Sequence, residues 1–586
     1  MHDLIIRGGL VYDGTGAEPV ATDIAIDADR ITAVGRITDS AHEEIDASGK
    51  IVTPGFVDIH THFDGQVTWD PYLAPSSCHG VTTIVMGNCG VGFAPCKPEQ
   101  RDWLIGLMEG VEDIPGTALH EGIQWDWETF PEYLDALDRR KLALDVAAQV
   151  PHGAVRAYVM GQRGADHEPA SGDEIAAMAD IVVEGVRAGA LGFSTSRTEK
   201  HKDVSGSFTP SITAHEDELV GIARAMGSTG CGVLQGISDF YDFAAEFALF
   251  RKMAQESGRP ISLTVEQQEA RPEWWLQLLD GISAAQAEGI PMYGQVPPRA
   301  TGILMGLTAS ANPFTMNPVW AEIAGKRLEE QVASMRDPAF RERLLSTPNP
   351  LSGIALVDEV LYSYDKMFSL GEPANYEPDP ADSIGATARR LGVSPEEVAY
   401  DSMLENNGRA LIYQPLFNYG PGNLEHVKSM LEHPYTIMGL ADAGAHCGML
   451  CDASFPTTLI QHWGRDRSRG ERLPLAQLIA MQTSATARQV GLQDRGILRP
   501  GYKADLNVID FDNLTLHAPQ VVNDLPAGGR RLVQTASGYV ATVISGKVAF
   551  REGVPTGELN GRLIRGPQAA PGEAAPAQRQ HSGSGA

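Results

Sequence analysis

Short apolar runs broken by turn residues open the chain: "DLIIRGGLVYDG", "DIAIDADRITAVG" and "EEIDASGKIVTPG" alternate in the manner of a small antiparallel sheet. The pattern returns late, in "ADLNVIDFD" and "YVATVISGKVAFREG", so the two chain ends, residues 1–53 and 495–565, are expected to form one small β-sandwich domain together. Between them, buried-type runs ("VTTIVMGNC", "LALDVAAQV", "ALGFSTS", "GVLQGIS", "PISLTVEQQ", "IPMYGQV", "YTIMGLADAG") alternate with helical patterns such as "GDEIAAMADIVVEGVRAG". With "IVTPGFVDIHTH" in front, they predict an α/β architecture, a (β/α)8 TIM-like barrel over residues 54–494. Residues 297–423 exceed one loop-helix connection and read as an inserted subdomain over the barrel mouth. The last segment, 566–586, lacks a hydrophobic pattern and is expected to be disordered.

Composition narrows the function classes. The chain has 586 residues, of which 43% are hydrophobic and 21% charged, and a formal net charge of -29. That charge disfavours phosphate backbones and anionic membrane surfaces, so neither nucleic acid nor membrane is an expected partner. The opening residues lack the pattern of a signal peptide and no apolar stretch reaches the roughly 20 residues of a membrane span, which predicts a cytoplasmic protein. Six cysteines in so long a chain do not make a disulfide framework; they read as buried thiols or metal ligands.

In a strand, residues i and i+2 face the same side, so His60 and His62 of "FVDIHTHFD" can present two imidazoles to one point. A lone H-x-H equally fits two buried histidines that only hydrogen-bond. At the C-terminal strand ends of a barrel the same pair would meet Cys89, His152, Gln235, Glu266 and Asp442, the polar residues that close the other buried runs.

"IVTPGFVDIHTH" resembles the first-strand motif of the amidohydrolase superfamily, and "TSATARQVGLQDRGILRPGYKADLNVID" resembles its closing stretch. "GVTTIVMGNCGVGFAPC", "VAAQVPHGAVR", "AGALGFSTS" and "GLADAGAH" follow in the order of its D-aminoacylase (N-acyl-D-amino-acid deacylase) branch. The resemblance implies that His60, His62 and Asp442 hold a divalent metal, zinc or another ion, with Asp442 as general acid/base and Cys89 as a further ligand. The competing readings are a buried thiol behind a glycine-rich turn for Cys89 and a turn or N-cap aspartate for Asp442.

The chain also departs from that branch. Where the relatives supply histidine ligands from strands five and six, this sequence reads "GVLQGISDF" and "ISLTVEQQEA", with Gln235 at one position and Val265 or Glu266 at the other. One metal ion is therefore expected in preference to two; a second site built on Glu266, or loss of metal altogether, are the other outcomes. Candidate substrate-binding residues are His152, Arg197, Gln235, Glu266, Arg299 and His446, with Arg197 and Arg299 as guanidiniums suited to clamp a carboxylate. The expected function is metal-dependent hydrolysis of an N-acyl amino acid. Hydrolysis of another amide, cyclic or bulky and aryl, and a non-catalytic ligand-binding barrel are the alternatives. The expected partner is a small-molecule amide substrate, and homo-oligomers are expected by analogy with relatives.

Overall fold

The computed structural model describes residues 1–573. Its barrel consists of two arcs of parallel strands. One is a three-stranded sheet of Phe56–Asp58, Val81–Met86 and Asp145–Ala148; the other is six-stranded, running Thr436–Met438, Met292–Val296, Ile261–Thr264, Val233–Ser238, Gly192–Arg197 and Val150–Pro151. The arcs share the stretch 145–151 and close where Thr61 bridges Ala443 in parallel. Strands such as Val81–Met86 are buried at every position because helices cover one face and the barrel core the other. Helices follow the strands: Gly172–Ala188 starts at a Ser171/Glu174 capping box and stops at Gly189, whose φ of 124° ends the helical run.

The two chain ends meet in a nine-stranded sheet. Leu506–Ile509 pairs antiparallel with Ile51–Pro54, which joins the late strands Tyr539–Ile544 and Lys547–Arg551 to the early ones His2–Val11, Val20–Asp27 and Arg30–Gly35. Its apolar face closes over a core drawn from both ends, with Ile6, Ile24, Ile26 and Val52 against Leu506, Val508, Val543 and Val548.

Residues between the strand Met292–Val296 and the helix Glu425–Glu432 build a unit with its own core, in which Met305, Phe314, Trp320, Met335, Tyr400 and Ile412 pack together. Gly302–Met305 and Ile412–Pro415 pair antiparallel and bring the ends of this excursion together. No helix is long and apolar enough to cross a membrane among the described residues, and all six cysteines are free.

The expectation of disorder over 566–586 needs correcting at its start. Gly566 N–H donates to Gly189 O (2.8 Å) and Gln568 N–H to Gly491 O (2.9 Å), while Gln493 N–H donates to Gln568 O (2.9 Å). Backbone pairing fixes this stretch without a hydrophobic pattern, which is why composition alone misjudged it. Residues 574–586 lie outside the described residues.

Candidate metal centre

Past Asp58 the first barrel strand runs on into Ile59–Thr61–His62 under backbone control. Thr61 N–H donates to Val85 O (3.1 Å), His62 N–H to Ala443 O (2.8 Å) and Asp442 N–H to His60 O (3.1 Å), so the first and last strands are stitched where their functional residues emerge. Strand alternation turns both imidazoles inward. Asp442 Oδ1 lies 3.2 Å from His60 Nε2 and 3.5 Å from His62 Nε2. Cys89 Sγ is 3.2 Å from His60 Nε2, and ligand atoms of His60, His62 and Cys89 all fall within 4.8 Å of one another in a buried pocket.

Cys89 reaches that position through an unusual turn. Gly87, Cys89 and Gly90 have φ of 78°, 53° and 68°, and a Cβ on Gly87 would stand 2.2 Å from Gln149 O, so glycine is required there. The neighbouring side chains hold the turn. Asn88 Nδ2 donates to Val85 O (2.9 Å) and Thr61 O (3.2 Å), Gln149 Nε2 to Asn88 Oδ1 (2.9 Å), and Gln235 Oε1 accepts Cys89 N–H (2.8 Å). Cys89 and Asp442, at φ 53° and 45°, are thus two non-glycine residues held in the left-handed region, a conformation that persists only where surroundings enforce it.

The remaining ring nitrogens are directed by different partners. His60 Nδ1 sits 2.6 Å from Gln295 Oε1, whose Nε2 donates to Ser262 Oγ (2.8 Å), so the amide oxygen accepts the imidazole proton and leaves Nε2 of His60 facing the centre. His62 Nδ1 faces Glu112 Oε1 at 3.3 Å, and neither atom has a hydrogen-bond partner among the described residues. Burial holds His60 below its usual pKa and therefore neutral. For His62 burial opposes protonation, but Glu112 and Asp442 outweigh it and raise its pKa. Burial pushes the Glu112 carboxyl up to about 7. Burial also lifts the Cys89 thiol to about 12. Asp442 resists burial through His60 and His62 and stays ionised.

This donor set fits a divalent cation. A neutral imidazole, an ionised carboxylate and a thiol are gathered without water-exposed competitors, and unpaired polar atoms surround them. The thiol would ionise only under the field of a cation, which is the usual behaviour of a coordinating cysteine.

The other sequence candidates divide. Gln235 is at the centre, with its Nε2 unpaired and buried. His446, at φ 50°, lies with Nε2 3.8 Å from Glu112 Oε2 on the wall shared with Asp442. Glu266, its side chain 12% exposed, lies 3.9 Å from Lys200 Nζ and accepts from Thr301 Oγ1 (3.4 Å). Three expectations of substrate contact do not match the geometry. His152 is fully buried between Thr195 Oγ1 and Glu218 Oε1, both at 2.9 Å, beside Arg156 on the same carboxylate. Arg197 makes a two-pronged bond to Glu246 (2.8 and 2.6 Å). Arg299 pairs with Asp452 at 2.9 Å and stacks on Tyr376 and Phe455. In each case an acidic partner from a distant segment already occupies the side chain.

Glu112 and Gln295 were not singled out from the sequence. Glu112 ends the helix Arg101–Glu112 and is followed by Asp113; two acids at a helix C-terminus oppose the helix dipole, and that is the signal that could have marked them.

The sequence profile described as "Amidohydrolase family" matches residues 43–550. D-aminoacylase of Alcaligenes xylosoxydans xylosoxydans is 26% identical over 577 residues, covering 96% of this chain and 97% of the relative. A solved D-aminoacylase structure superposes with a TM-score of 0.64 at 23% identity, covering 96% of this chain and all of that one. N-acyl-D-glutamate deacylase from Bordetella bronchiseptica, solved in complex with zinc and a phosphonate inhibitor, gives 0.63 at 23% identity, with 96% and 99% covered. The profile spans most of the sequence, from the sheet of the chain ends through the whole barrel, and the chain belongs to the amidohydrolase family.

Proposed function

We propose that this protein hydrolyses the amide bond of N-acyl amino acids with one divalent metal ion, zinc in the first place, held by His60, His62, Cys89 and Asp442. The observation that carries the reading is the convergence of these four side chains at the closing seam of the barrel, with Asp442 Oδ1 within 3.5 Å of both imidazole Nε2 atoms. Imidazole and thiolate donors suit zinc. Gln235, a neutral amide on strand Val233–Ser238, and the single candidate ligand cluster among the described residues, His60, His62 and Cys89, support one ion rather than two. The similarity to D-aminoacylase and N-acyl-D-glutamate deacylase supports the substrate class.

A divalent ion bound here supplies polarisation of the amide carbonyl and a water molecule acidic enough to react near neutral pH. The rest is done by the chain. Ionised Asp442 accepts the proton of the attacking water and passes it to the departing nitrogen. Gln235 Nε2, fixed by the bond its Oε1 accepts from Cys89, donates toward the oxygen on which negative charge develops. Gln295 accepts the Nδ1 proton of His60 and so fixes that ring, while the Glu112 carboxyl faces His62 Nδ1 at 3.3 Å without a formed hydrogen bond.

The test is a panel of N-acetyl-D- and N-acetyl-L-amino acids offered to zinc-loaded protein. At least one should be hydrolysed, and Asp442→Asn should abolish that turnover while the protein stays folded. Failure of every member with zinc bound would contradict the reading.

A further inference from the structure

If the substrate is an N-acyl amino acid, something at the barrel mouth must meet its carboxylate, and the acids Glu112, Asp113, Glu266, Asp442 and Asp452 make the neighbourhood unfavourable for an anion. The basic groups there are few. Arg197, Arg299 and Arg531 are consumed by Glu246, Asp452 and Asp524, and His446, on the Asp442 wall, faces Glu112 at 3.8 Å. His201 gives its Nδ1 to Ser196 Oγ (2.9 Å), and burial drives its pKa down to about 3, so it carries no charge. Lys200 is different. Its side chain is 35% exposed, no hydrogen bond reaches its Nζ among the described residues, and its nearest acid, Glu266 Oε2, stays 3.9 Å away. A lysine ammonium has three donors to give.

The loop presenting it is fixed. Thr198 Oγ1 and Glu199 N–H both donate to Asp239 at 2.7 Å, and the ammonium lies 4.3 Å from the centre of the Phe417 ring. Lys200 follows the strand Gly192–Arg197 and Glu266 follows Ile261–Thr264, so both stand at the C-terminal strand ends where His60 and Asp442 emerge. They share a cleft whose other walls include Phe240, Phe243, Trp274, Trp275 and Leu278.

We propose that Lys200 is the residue that reads the substrate's α-carboxylate, with Glu266 as its counter-ion at rest, and that the pair selects N-acyl amino acids with one carboxylate and an apolar side chain. The aromatic walls offer apolar contact, while Glu266 repels a second carboxylate placed beside Lys200. The proposal rests on the deacylase reading for the identity of the substrate, but its test does not depend on turnover.

Binding of N-acetylleucine (each enantiomer), N-acetylleucinamide and N-acetylglutamate is measured by calorimetry on Asp442→Asn protein in which His60, His62, Cys89 and the Asn carbonyl are first confirmed by elemental analysis to retain zinc, with Lys200 intact, as Lys200→Met and as Lys200→Arg. With Lys200 the carboxylate ligand should bind at least about tenfold tighter than the carboxamide, the worth of one charged hydrogen bond. N-acetylglutamate should bind more weakly than N-acetylleucine. Lys200→Met should erase the carboxylate preference and leave carboxamide binding unchanged; Lys200→Arg should keep most of it. A preference that survives Lys200→Met, or no binding by any ligand, overturns the proposal. If the preference appears and vanishes as described while the protein with Asp442 intact hydrolyses none of these compounds, Lys200 retains its role and the deacylase reading fails.

Discussion

Asp145 stands at the start of its barrel strand, against the sheet built from the chain ends, and accepts from Arg495 (2.6 Å) and the backbone of Arg562 (3.0 Å), with Lys503 Nζ 2.9 Å away. Lys503 also bonds both oxygens of Asp505, and Arg495 reaches Asp494 and Thr83. At the opposite, C-terminal ends of the strands lies a second buried cluster, made of His60, His62, Cys89, Glu112, Gln235 and Asp442. There His62 Nδ1, Glu112 Oε1 and Gln235 Nε2 lack partners, and two residues are held at positive φ. The same chain can therefore pair its buried charges almost completely, and does so where the cluster only joins two domains. Where it leaves them unpaired and strained, the structure has been kept ready to receive something.

The contrast predicts that the two clusters respond differently to mutation. Lys503→Met leaves Asp145 and Asp505 short of a buried cation and should destabilise the metal-free protein by about 3–5 kcal/mol in chemical unfolding, with metal content of the folded fraction unchanged. The junction is also pH-sensitive in a defined direction. Burial acts to raise the pKa of Asp145, but Lys503 and Arg495 prevail and lower it to about 2. Its contribution is therefore complete above the unfolded value of about 4 and is lost as pH falls from about 4 toward 2. A stability profile flat across that window would remove the junction's side of the comparison.

At the other cluster, Glu112→Gln keeps the shape but weakens the hold on His62 and should reduce zinc affinity about 10–100-fold, read by competition with a chelator, while the metal-free protein unfolds at nearly the same denaturant concentration. Cys89→Gly should have a small effect on folding, opposite in sign to that of Lys503→Met. Glycine accepts φ 53° without strain, so the metal-free protein should gain up to about 1 kcal/mol while zinc binding weakens. Loss of stability in that variant would mean that the turn is not strained.

Much of this was legible in the residues. Alternation at both chain ends and buried runs between them specify the barrel and its accompanying sheet, because strand burial follows local pattern. His60, His62, Cys89 and Asp442 lie among the residues that close strands, whose ends converge in a barrel, and the resemblance to amidohydrolase motifs singled them out as ligands. Pairing across long separations was not legible. Nothing near Arg197 or Arg299 announces Glu246 or Asp452, so two guanidiniums that looked free for substrate are spoken for. Glu112 arrives from a helix that carries no motif, and Lys200 gains its interest only because its neighbours in space are occupied. The segment after Gly566 is held by backbone bonds, which composition does not encode.

Elemental analysis of wild-type and His60→Ala protein, purified without added metal and again after zinc loading and desalting, tests the central claim most directly. The account predicts about one equivalent of divalent metal per loaded wild-type chain and its loss in His60→Ala, because removing one of so few ligands leaves too little to hold an ion. A wild-type chain that retains no stoichiometric metal after loading, or a His60→Ala chain that retains it fully, would contradict it.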